Sequence, residues 1–145
     1  MKTVEKKKIL ILCTGNSCRS QIAEGFAHKA GWQAFSAGTQ PEATVNPFAV
    51  NVMSEIGIDI SHHTPKSVSE YLDDNFYIIA TVCDNAKEKC PVFHGSYDHI
   101  LHHSFRDPAN ASGSDENILQ VYRQIRDEIQ IWIEKCCLIC LNNNF

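Results

Sequence analysis

Residues 9–20 read ILILCTGNSCRS, and this stretch decides the fold. Four consecutive apolar residues are typical of a buried parallel strand, and the polar segment that follows predicts a loop. Residues 20–30 then carry apolar side chains at helical spacing, and Gly31 can end that helix. The sequence therefore predicts a strand that leads through a short loop into a helix.

The same alternation continues along the chain. Further strands are predicted over residues 32–36, 76–82 and, more weakly, 100–103. Helices are predicted from Pro47 towards Gly57, over residues 68–72, and from Ser114 or Asp115 to the apolar stripe that ends at Cys136. We expect one α/β domain spanning 1–145, a three-layer sandwich around a small, mostly parallel four-stranded sheet.

Composition narrows the classes of function. A formal net charge of −4 argues against a nucleic-acid-binding surface, and no apolar run is long enough for a secretory signal or a membrane span. We therefore predict a cytoplasmic protein, in which the seven cysteines stay reduced. Clustered cysteines in that compartment suggest catalysis or metal binding. The histidines are expected to be solvated or to cap backbone groups, so we predict no metal site.

The loop after the first strand has the pattern of an anion cradle. Five residues separate Cys13 from Arg19, enough to wrap once around a tetrahedral oxyanion with successive N–H groups converging on it. Arg19 can donate two hydrogen bonds to the anion, and the positive field should favour the thiolate of Cys13. The predicted catalytic residues here are Cys13 and Arg19, and the predicted substrate-binding residues are Thr14, Gly15, Asn16, Ser17, Cys18, Arg19 and Ser20.

Three members of the loop have more specific predicted roles. Gly15 can adopt backbone conformations that a Cβ would penalise. Asn16 can fix the loop through its side-chain amide, and Ser20 can hydrogen-bond the Cys13 thiolate. The alternative is an ordinary strand–helix turn that contains a buried cysteine.

A second segment that could take part in catalysis contains Asp107, between Arg106 and Pro108. The proline fixes a turn that could hold the carboxyl group over the anion, where it could protonate a leaving oxygen. A plain surface Asp-Pro turn is the alternative. The preceding cation, Arg106, should favour ionised Asp107 and weaken it as an acid.

Cys83 and Cys90 form the third segment. Cys83 ends a predicted strand, and six mostly polar residues that could form a short mobile helix separate it from Cys90. This placement suits an internal dithiol relay in which Cys83 attacks a bond at Cys13 and Cys90 then attacks Cys83. The alternative is two unrelated cysteines.

Together these segments resemble the thioredoxin-coupled arsenate reductases, which share the low-molecular-weight protein tyrosine phosphatase fold. The resemblance spans nearly the whole chain and rests on residues 13–26, 35–39, 46–47, 57–61, 83, 90–91, 107–109 and 123–129. Phosphatases of this fold usually carry a bulkier apolar residue in place of Thr14 and a tyrosine soon after Asp-Pro. Thr14, Cys83 and Cys90 therefore favour the reductase branch.

The resemblance implies that Cys13 attacks arsenate, for which phosphate or sulfate could substitute, while Asp107 assists loss of water. Cys83 and Cys90 would then pass the disulfide on to thioredoxin. It also implies a monomer without a cofactor or a membrane or nucleic-acid partner. The alternative is a low-molecular-weight protein tyrosine phosphatase that hydrolyses phosphate monoesters through a phosphocysteine at Cys13. A phosphate-sensing module is a third possibility, but it would need no nucleophile.

Some relatives bind potassium through residues that match Asn16, Glu24, Ser36 and an aspartate. The position of the aspartate corresponds here to Lys66. We therefore predict that the Lys66 ammonium occupies the place of the potassium ion.

Overall fold

The computed structural model describes residues 7–141, with the side chains of residues 7–136. Four strands form one sheet: β1 (Lys8–Cys13), β2 (Gln33–Gly38), β3 (Phe76–Thr81) and β4 (Tyr97–His102). Their order is β2-β1-β3-β4, and all neighbouring pairs are parallel. The predicted four-stranded parallel sheet is confirmed.

Helices connect and cover these strands. They are α1 (Arg19–Lys29), α2 (Pro47–Ser54), α3 (Asp84–Glu88) and α4 (Asp115–Leu141), with single 3₁₀ turns at Val68–Tyr71 and Pro108–Asn110. Asn46 caps α2 because its Oδ1 accepts from the Phe48 amide at 2.9 Å. Past the ends of α1 and α2, Gly31 and Gly57 have φ of +97° and +81°, which suits their predicted roles as terminators.

Strand boundaries differ most at the sheet edges. The weakly predicted strand over residues 100–103 begins earlier, at Tyr97, and β2 continues beyond Ser36 to Gly38. β4 is an edge strand in which no residue is fully buried, and it lacks the apolar run that marks a central strand. Its position is set by pairing with β3, which sequence periodicity does not report.

The strand order places a crevice between β1 and β3. The chain passes from β1 to β2 in one direction across the sheet and from β3 to β4 in the other. Right-handed crossovers therefore put α1 and α3 on opposite faces, which gives the three-layer α/β/α arrangement. Ligands bind at such a switch point, beyond the carboxyl ends of the strands, and Cys13 and Cys83 lie there.

The core is built around the two central strands. Residues 9–12 of β1 are fully buried, as are Ile78 and Ala80 of β3. α4 packs against α1 and α2 through an apolar stripe that includes Tyr122, Ile125, Ile129 and Ile133. Cys136 is buried at the end of this stripe, whereas the side chains of Cys137 and Cys140 lie outside the described residues. None of the helices in the described part of the chain is both long and apolar enough to cross a membrane.

Candidate active site

The loop from β1 to α1 encloses a cavity of about 120 Å³. Residues 13–19 line it, together with Glu42, Asp107 and Ala109. The structure therefore brings the predicted nucleophile, the predicted arginine and the predicted acid around one small space. Cys83, Cys90 and Ser20 are not among the lining residues.

Hydrogen bonds anchor the loop from its outer side. Amides of residues 39–46 donate to four loop carbonyls, and Ile22 and Gln21 donate to the remaining two. The accepting carbonyls are those of Cys13, Thr14, Gly15, Asn16, Ser17 and Cys18. Because these carbonyls are turned outward, the loop presents its N–H groups as the donors for an anion in the cavity.

Asn16 is the loop residue with a left-handed backbone, at φ +52°. Gly15 does not have a positive φ, so the predicted reason for a glycine at that position is wrong. Asparagine tolerates this conformation better than most residues, because its short polar side chain bonds locally. The Asn16 amide donates to Ser20 Oγ at 2.7 Å and to Ser36 Oγ at 2.9 Å, and its oxygen accepts from the Lys66 amide. The predicted pinning of the loop by Asn16 is confirmed.

Ser20 has a different contact from the one predicted. Its hydroxyl accepts from Asn16 Nδ2, and no hydrogen bond joins it to Cys13 among the described residues. Ser20 is fully buried beneath the loop. It therefore supports the shape of the loop through Asn16 and does not touch the nucleophile.

Gly38 lets β2 approach the loop closely. A Cβ at Gly38 would lie 2.4 Å from the Thr14 carbonyl oxygen, far inside van der Waals contact. At Gly15, by contrast, a Cβ would meet only the flexible side chain of Glu42, at 2.8 Å. The steric requirement for glycine therefore lies at the end of β2, which the sequence pattern does not reveal.

Arg19 is held at the cavity by two contacts. Its Nη1 donates to the Phe105 carbonyl at 3.0 Å, and its Nη2 lies 3.6 Å from Asp107 Oδ2. Its Nε is buried and has no hydrogen-bond partner within the described residues, which leaves a donor for a bound anion. The Arg106 guanidinium points instead to Gln124 Oε1, at 3.5 Å. The guanidinium in contact with Asp107 is therefore that of Arg19, and the influence of Arg106 on Asp107 stays a prediction.

Cys18 is buried and contacts the core through Tyr122, although it is also among the residues that line the cavity. Its Sγ lies 3.5 Å from Tyr122 Oη and 3.7 Å from Ser17 Oγ. Burial raises the pKa of the Cys18 thiol above its usual range, with hydrogen bonds from Tyr122 and Ser17 acting in opposition. Cys18 is therefore protonated at neutral pH and is not a competing nucleophile.

Cys83 lies beside Cys13, although 70 positions separate them in the sequence. Its Sγ accepts from the Ala86 amide at 3.4 Å, which makes Cys83 the N-cap of α3, and lies 3.3 Å from Thr14 Oγ1. The hydrogen bond from Cys13 and those from Thr14 and Ala86 outweigh burial and lower the pKa of Cys83 to about 5.

The same hydrogen bond and burial raise the pKa of Cys13 well above its usual range, although the Arg19 charge opposes them. Within this pair the contact therefore shifts the two pKa values in opposite directions, up for Cys13 and down for Cys83. The prediction that the loop alone makes Cys13 the thiolate is wrong for this arrangement, because the sequence pattern did not place Cys83 in contact with it.

Cys90 follows the end of α3 and is half-buried, and burial raises the pKa of its thiol. The predicted short helix between the two cysteines is confirmed as α3. Asn85 in its first turn lies against the loop and β2, because Thr39 Oγ1 donates to Asn85 Oδ1 at 3.2 Å and Thr14 Oγ1 lies 3.2 Å from the same oxygen. Among the described residues, these side-chain hydrogen bonds connect the Cys83 end of the stretch from Cys83 to Cys90 to the cavity.

The Lys66 ammonium donates to the Thr64 carbonyl at 2.9 Å, and the backbone amide of Lys66 donates to Asn16 Oδ1. The ammonium charge also helps to lower the pKa of Glu24, so the replacement of a potassium ion by Lys66 stays a prediction. The groups that contact Glu24 are Ser36, which donates to Oε1 at 2.8 Å, and two histidines. Both carboxylate oxygens of Glu24 therefore already have protein partners.

The sequence patterns do not identify these histidines, His28 and His63, as members of a site with Glu24. His28 Nε2 lies 3.5 Å and His63 Nδ1 lies 3.2 Å from Glu24 Oε2. Burial alone would raise the pKa of Glu24, but the contacts with His28, His63 and Ser36 hold it below its usual range. The spacing of Glu24 and His28 on one helix is a signal in the sequence, whereas the approach of His63 depends on the fold.

Comparisons with known proteins show which family this chain resembles. The family model for low molecular weight phosphotyrosine protein phosphatase matches residues 8–137. A curated arsenate reductase from Halalkalibacterium halodurans is 43% identical over 129 residues, covering 87% of this chain and 91% of that protein.

Solved structures of two kinds match this chain. An arsenate reductase in a phosphate-binding state superimposes with a TM-score of 0.73 at 26% identity, covering 91% of this chain and 97% of that one. A low molecular weight protein tyrosine phosphatase from T. tengcongensis gives 0.72 at 28%, covering 90% and 97%. The chain therefore belongs to the low molecular weight phosphotyrosine protein phosphatase family, which it shares with its arsenate reductase relatives.

Proposed function

We propose that this protein reduces arsenate to arsenite through a relay of Cys13, Cys83 and Cys90, with thioredoxin as the final reductant. The observation that carries the proposal is the position of Cys83, which lies beside Cys13 at the anion cavity and whose pKa is lowered to about 5 by that contact. A phosphatase needs only the first thiol. A second reactive thiol next to the nucleophile is needed when the covalent adduct at Cys13 is resolved by attack of a thiol rather than of water.

The first step joins Cys13 to arsenic. Arsenate binds with its oxygens against the loop N–H groups and the Arg19 guanidinium, which concentrate positive charge in the cavity. The Cys13 thiol loses its proton, Sγ attacks arsenic, and an arsenate hydroxyl leaves as water with that proton. Asp107, 3.6 Å from Arg19, is placed to pass the proton to the leaving oxygen.

The second step reduces the arsenic. The Cys83 thiolate attacks Cys13 Sγ, a disulfide forms between them, and the electron pair of the S–As bond passes to arsenic, which leaves as arsenite. The pKa of about 5 keeps Cys83 ionised at neutral pH. Thr14 stabilises this thiolate, which suits the threonine found where phosphatases of this fold carry a bulkier apolar residue.

The third step moves the disulfide outward. The Cys90 thiolate attacks Cys83 Sγ, and Cys13 is released as a thiolate. Cys83 and Cys90 are seven positions apart, with the five residues of α3 between them. At about 1.5 Å per residue, seven helical positions would span about 10 Å. A disulfide joins residues whose Cα atoms lie about 4.4–6.8 Å apart, which is shorter than that span. We therefore propose that α3 unwinds in this step. Thioredoxin then reduces the Cys83–Cys90 disulfide, and two electrons have passed from its dithiol to arsenic. We further propose a cytoplasmic monomer, since a reducing compartment keeps this relay supplied.

The test is NADPH consumption driven by arsenate in the presence of thioredoxin and thioredoxin reductase. We expect turnover by the wild type and none by Cys13→Ser or Cys83→Ser. Hydrolysis of an aryl phosphate separates the two variants: Cys83→Ser should retain it, whereas Cys13→Ser should lose it. Undiminished arsenate turnover by Cys83→Ser would overturn the relay.

The second candidate function is phosphate monoester hydrolysis through a phosphocysteine at Cys13. The approach of Asp107 to Arg19 at the cavity favours it, because this set suffices for that chemistry. Efficient aryl phosphate hydrolysis by the wild type, with no arsenate-dependent NADPH consumption, would assign the phosphatase activity in place of the reductase.

A further inference from the structure

A cluster of three potential metal ligands lies beneath the anion loop, outside the relay. Glu24 and His28 occupy successive turns of α1, and His63 approaches from the segment after α2. One ligand atom from each of the three lies within 4.8 Å of the others. Both imidazole nitrogens are directed at the same carboxylate oxygen, Glu24 Oε2.

This convergence is unusual for a simple ion pair. One partner is enough to compensate a buried carboxylate, and Ser36 already donates to its other oxygen. Glu24 is only 5% exposed, so the cluster is anchored in the core, while the His28 side chain is 47% exposed and leaves a path for an ion. Two imidazoles and one carboxylate form a donor set that occurs in zinc sites and that does not suit an alkali cation.

We propose that Glu24 Oε2, His28 Nε2 and His63 Nδ1 form a binding site for one divalent transition-metal ion of the zinc type. The ion replaces the direct contacts between the two rings and the carboxylate. Gln21 Oε1 lies 2.9 Å from His63 Nδ1 and is a neighbouring oxygen ligand for the ion. Water can complete the coordination from the exposed side of His28. The site uses none of the relay thiols, so it stands or falls independently of arsenate reduction.

The site is connected to the anion loop by a chain of hydrogen bonds. Glu24 accepts from Ser36, and the Ser36 hydroxyl accepts from Asn16, the loop residue with the left-handed backbone. A metal ion that fixes Glu24 also joins α1 to the His63 segment. Because the ligands converge only in the folded chain, the ion should raise the melting temperature.

The experiment is calorimetric titration of the reduced full-length chain with Zn²⁺. The relay thiols also bind zinc, so the comparison is made in a variant with serine at Cys13, Cys83 and Cys90, with and without His28→Gln. We expect the serine variant to show one binding event that the added His28→Gln removes or weakens more than about tenfold. His62→Gln is the matched control, because His62 stacks on His63 but is not one of the three ligands.

Cobalt provides a second readout. Co²⁺ bound by the serine variant should give only the weak visible bands of nitrogen and oxygen ligands, and these should disappear in His28→Gln but persist in His62→Gln. His28 is exposed enough for its variant to fold, which its melting temperature without metal verifies. Equal zinc binding by the serine variant with and without His28→Gln would overturn the proposal, as would loss of all binding in the serine variant alone.

Discussion

At the residue scale, the Thr14 hydroxyl is the group that connects the cavity to the second thiol. It lies 3.3 Å from Cys83 Sγ and 3.2 Å from Asn85 Oδ1, and it can donate its single proton to one of these two acceptors at a time. A valine of nearly the same shape keeps the packing but removes both contacts. A hydrogen bond to a charged group contributes about 1.5–3 kcal/mol, so its loss should be visible in the reactivity of the thiolate.

We therefore expect Thr14→Val to slow alkylation of Cys83 at pH 6 by about two- to fifteenfold, because the lost hydrogen bond raises the pKa of Cys83 and less of it is then ionised. Peptide mass spectrometry after timed iodoacetamide treatment measures the rate at Cys83 separately from Cys13. Thr39→Val is the control, because Thr39 reaches Asn85 but not the sulfur. Equal rates for Thr14→Val and Thr39→Val would contradict the role given to Thr14.

Gly38 supplies a second prediction at this scale. In Gly38→Ala the new Cβ would press on the Thr14 carbonyl, and the backbone of the loop must shift. We expect a loss of about 1–3 kcal/mol in the free energy of unfolding together with weaker phosphate binding by calorimetry. Gly31→Ala is also strained, at φ +97°, but lies away from the loop, so it should lose stability and keep phosphate affinity. Unchanged phosphate affinity in Gly38→Ala would show that the close approach does not shape the cavity.

At the scale of elements, α3 is the one that the proposed relay requires to change. It is five residues long, and in the described structure its packing contacts are with β1 and β3. Short helices are marginal without tertiary support, so α3 should open at much lower free energy than the sheet.

Native-state hydrogen exchange tests this expectation. The amides of Lys87 and Lys89, which donate within α3, should exchange faster than the Val82 amide, which donates to the Leu12 carbonyl between the central strands. We expect the difference to be at least tenfold. If α3 exchanges only on global unfolding, at the same rate as Val82, the proposed unwinding is untenable.

At the scale of the whole molecule, the buried Glu24 and His63 make stability depend on pH. The pKa of Glu24 is lowered in the fold by its hydrogen bonds, and burial lowers the pKa of His63. In both cases the unfolded chain binds protons more readily than the folded chain. Stability is therefore greatest above the usual histidine pKa and falls as the pH drops.

We expect the free energy of unfolding in urea to decrease from pH 7.5 to pH 5.5 as the unfolded histidine becomes protonated. It should decrease again below pH 4.5 as unfolded Glu24 becomes protonated. His63→Gln should flatten the first decrease. His94→Gln is the control, because His94 is exposed and pairs only with the exposed Asp73. A first decrease that is as steep in His63→Gln as in His94→Gln would contradict the assignment to His63.

Most of the architecture could be predicted from the sequence, because apolar runs such as residues 9–12 report burial directly. The loop pattern also identified the residues around the cavity. The electrostatics could not be predicted, since Cys83 comes to share a proton with Cys13 only after β1 and β3 pair. The same applies to Gly38, Arg106 and His63, whose contacts depend on segments distant in sequence. Pairwise contacts across the sheet leave no local pattern that periodicity can detect.

The central claim, that Cys83 resolves an arsenic adduct at Cys13, is tested most directly by a single turnover of Cys90→Ser with arsenate and no thioredoxin. We expect one arsenite to be released per chain. Peptide mass spectrometry should find a Cys13–Cys83 disulfide, which persists because Cys90 is missing. The contradicting result is arsenite release without that disulfide, or a disulfide that joins Cys13 to Cys18 instead.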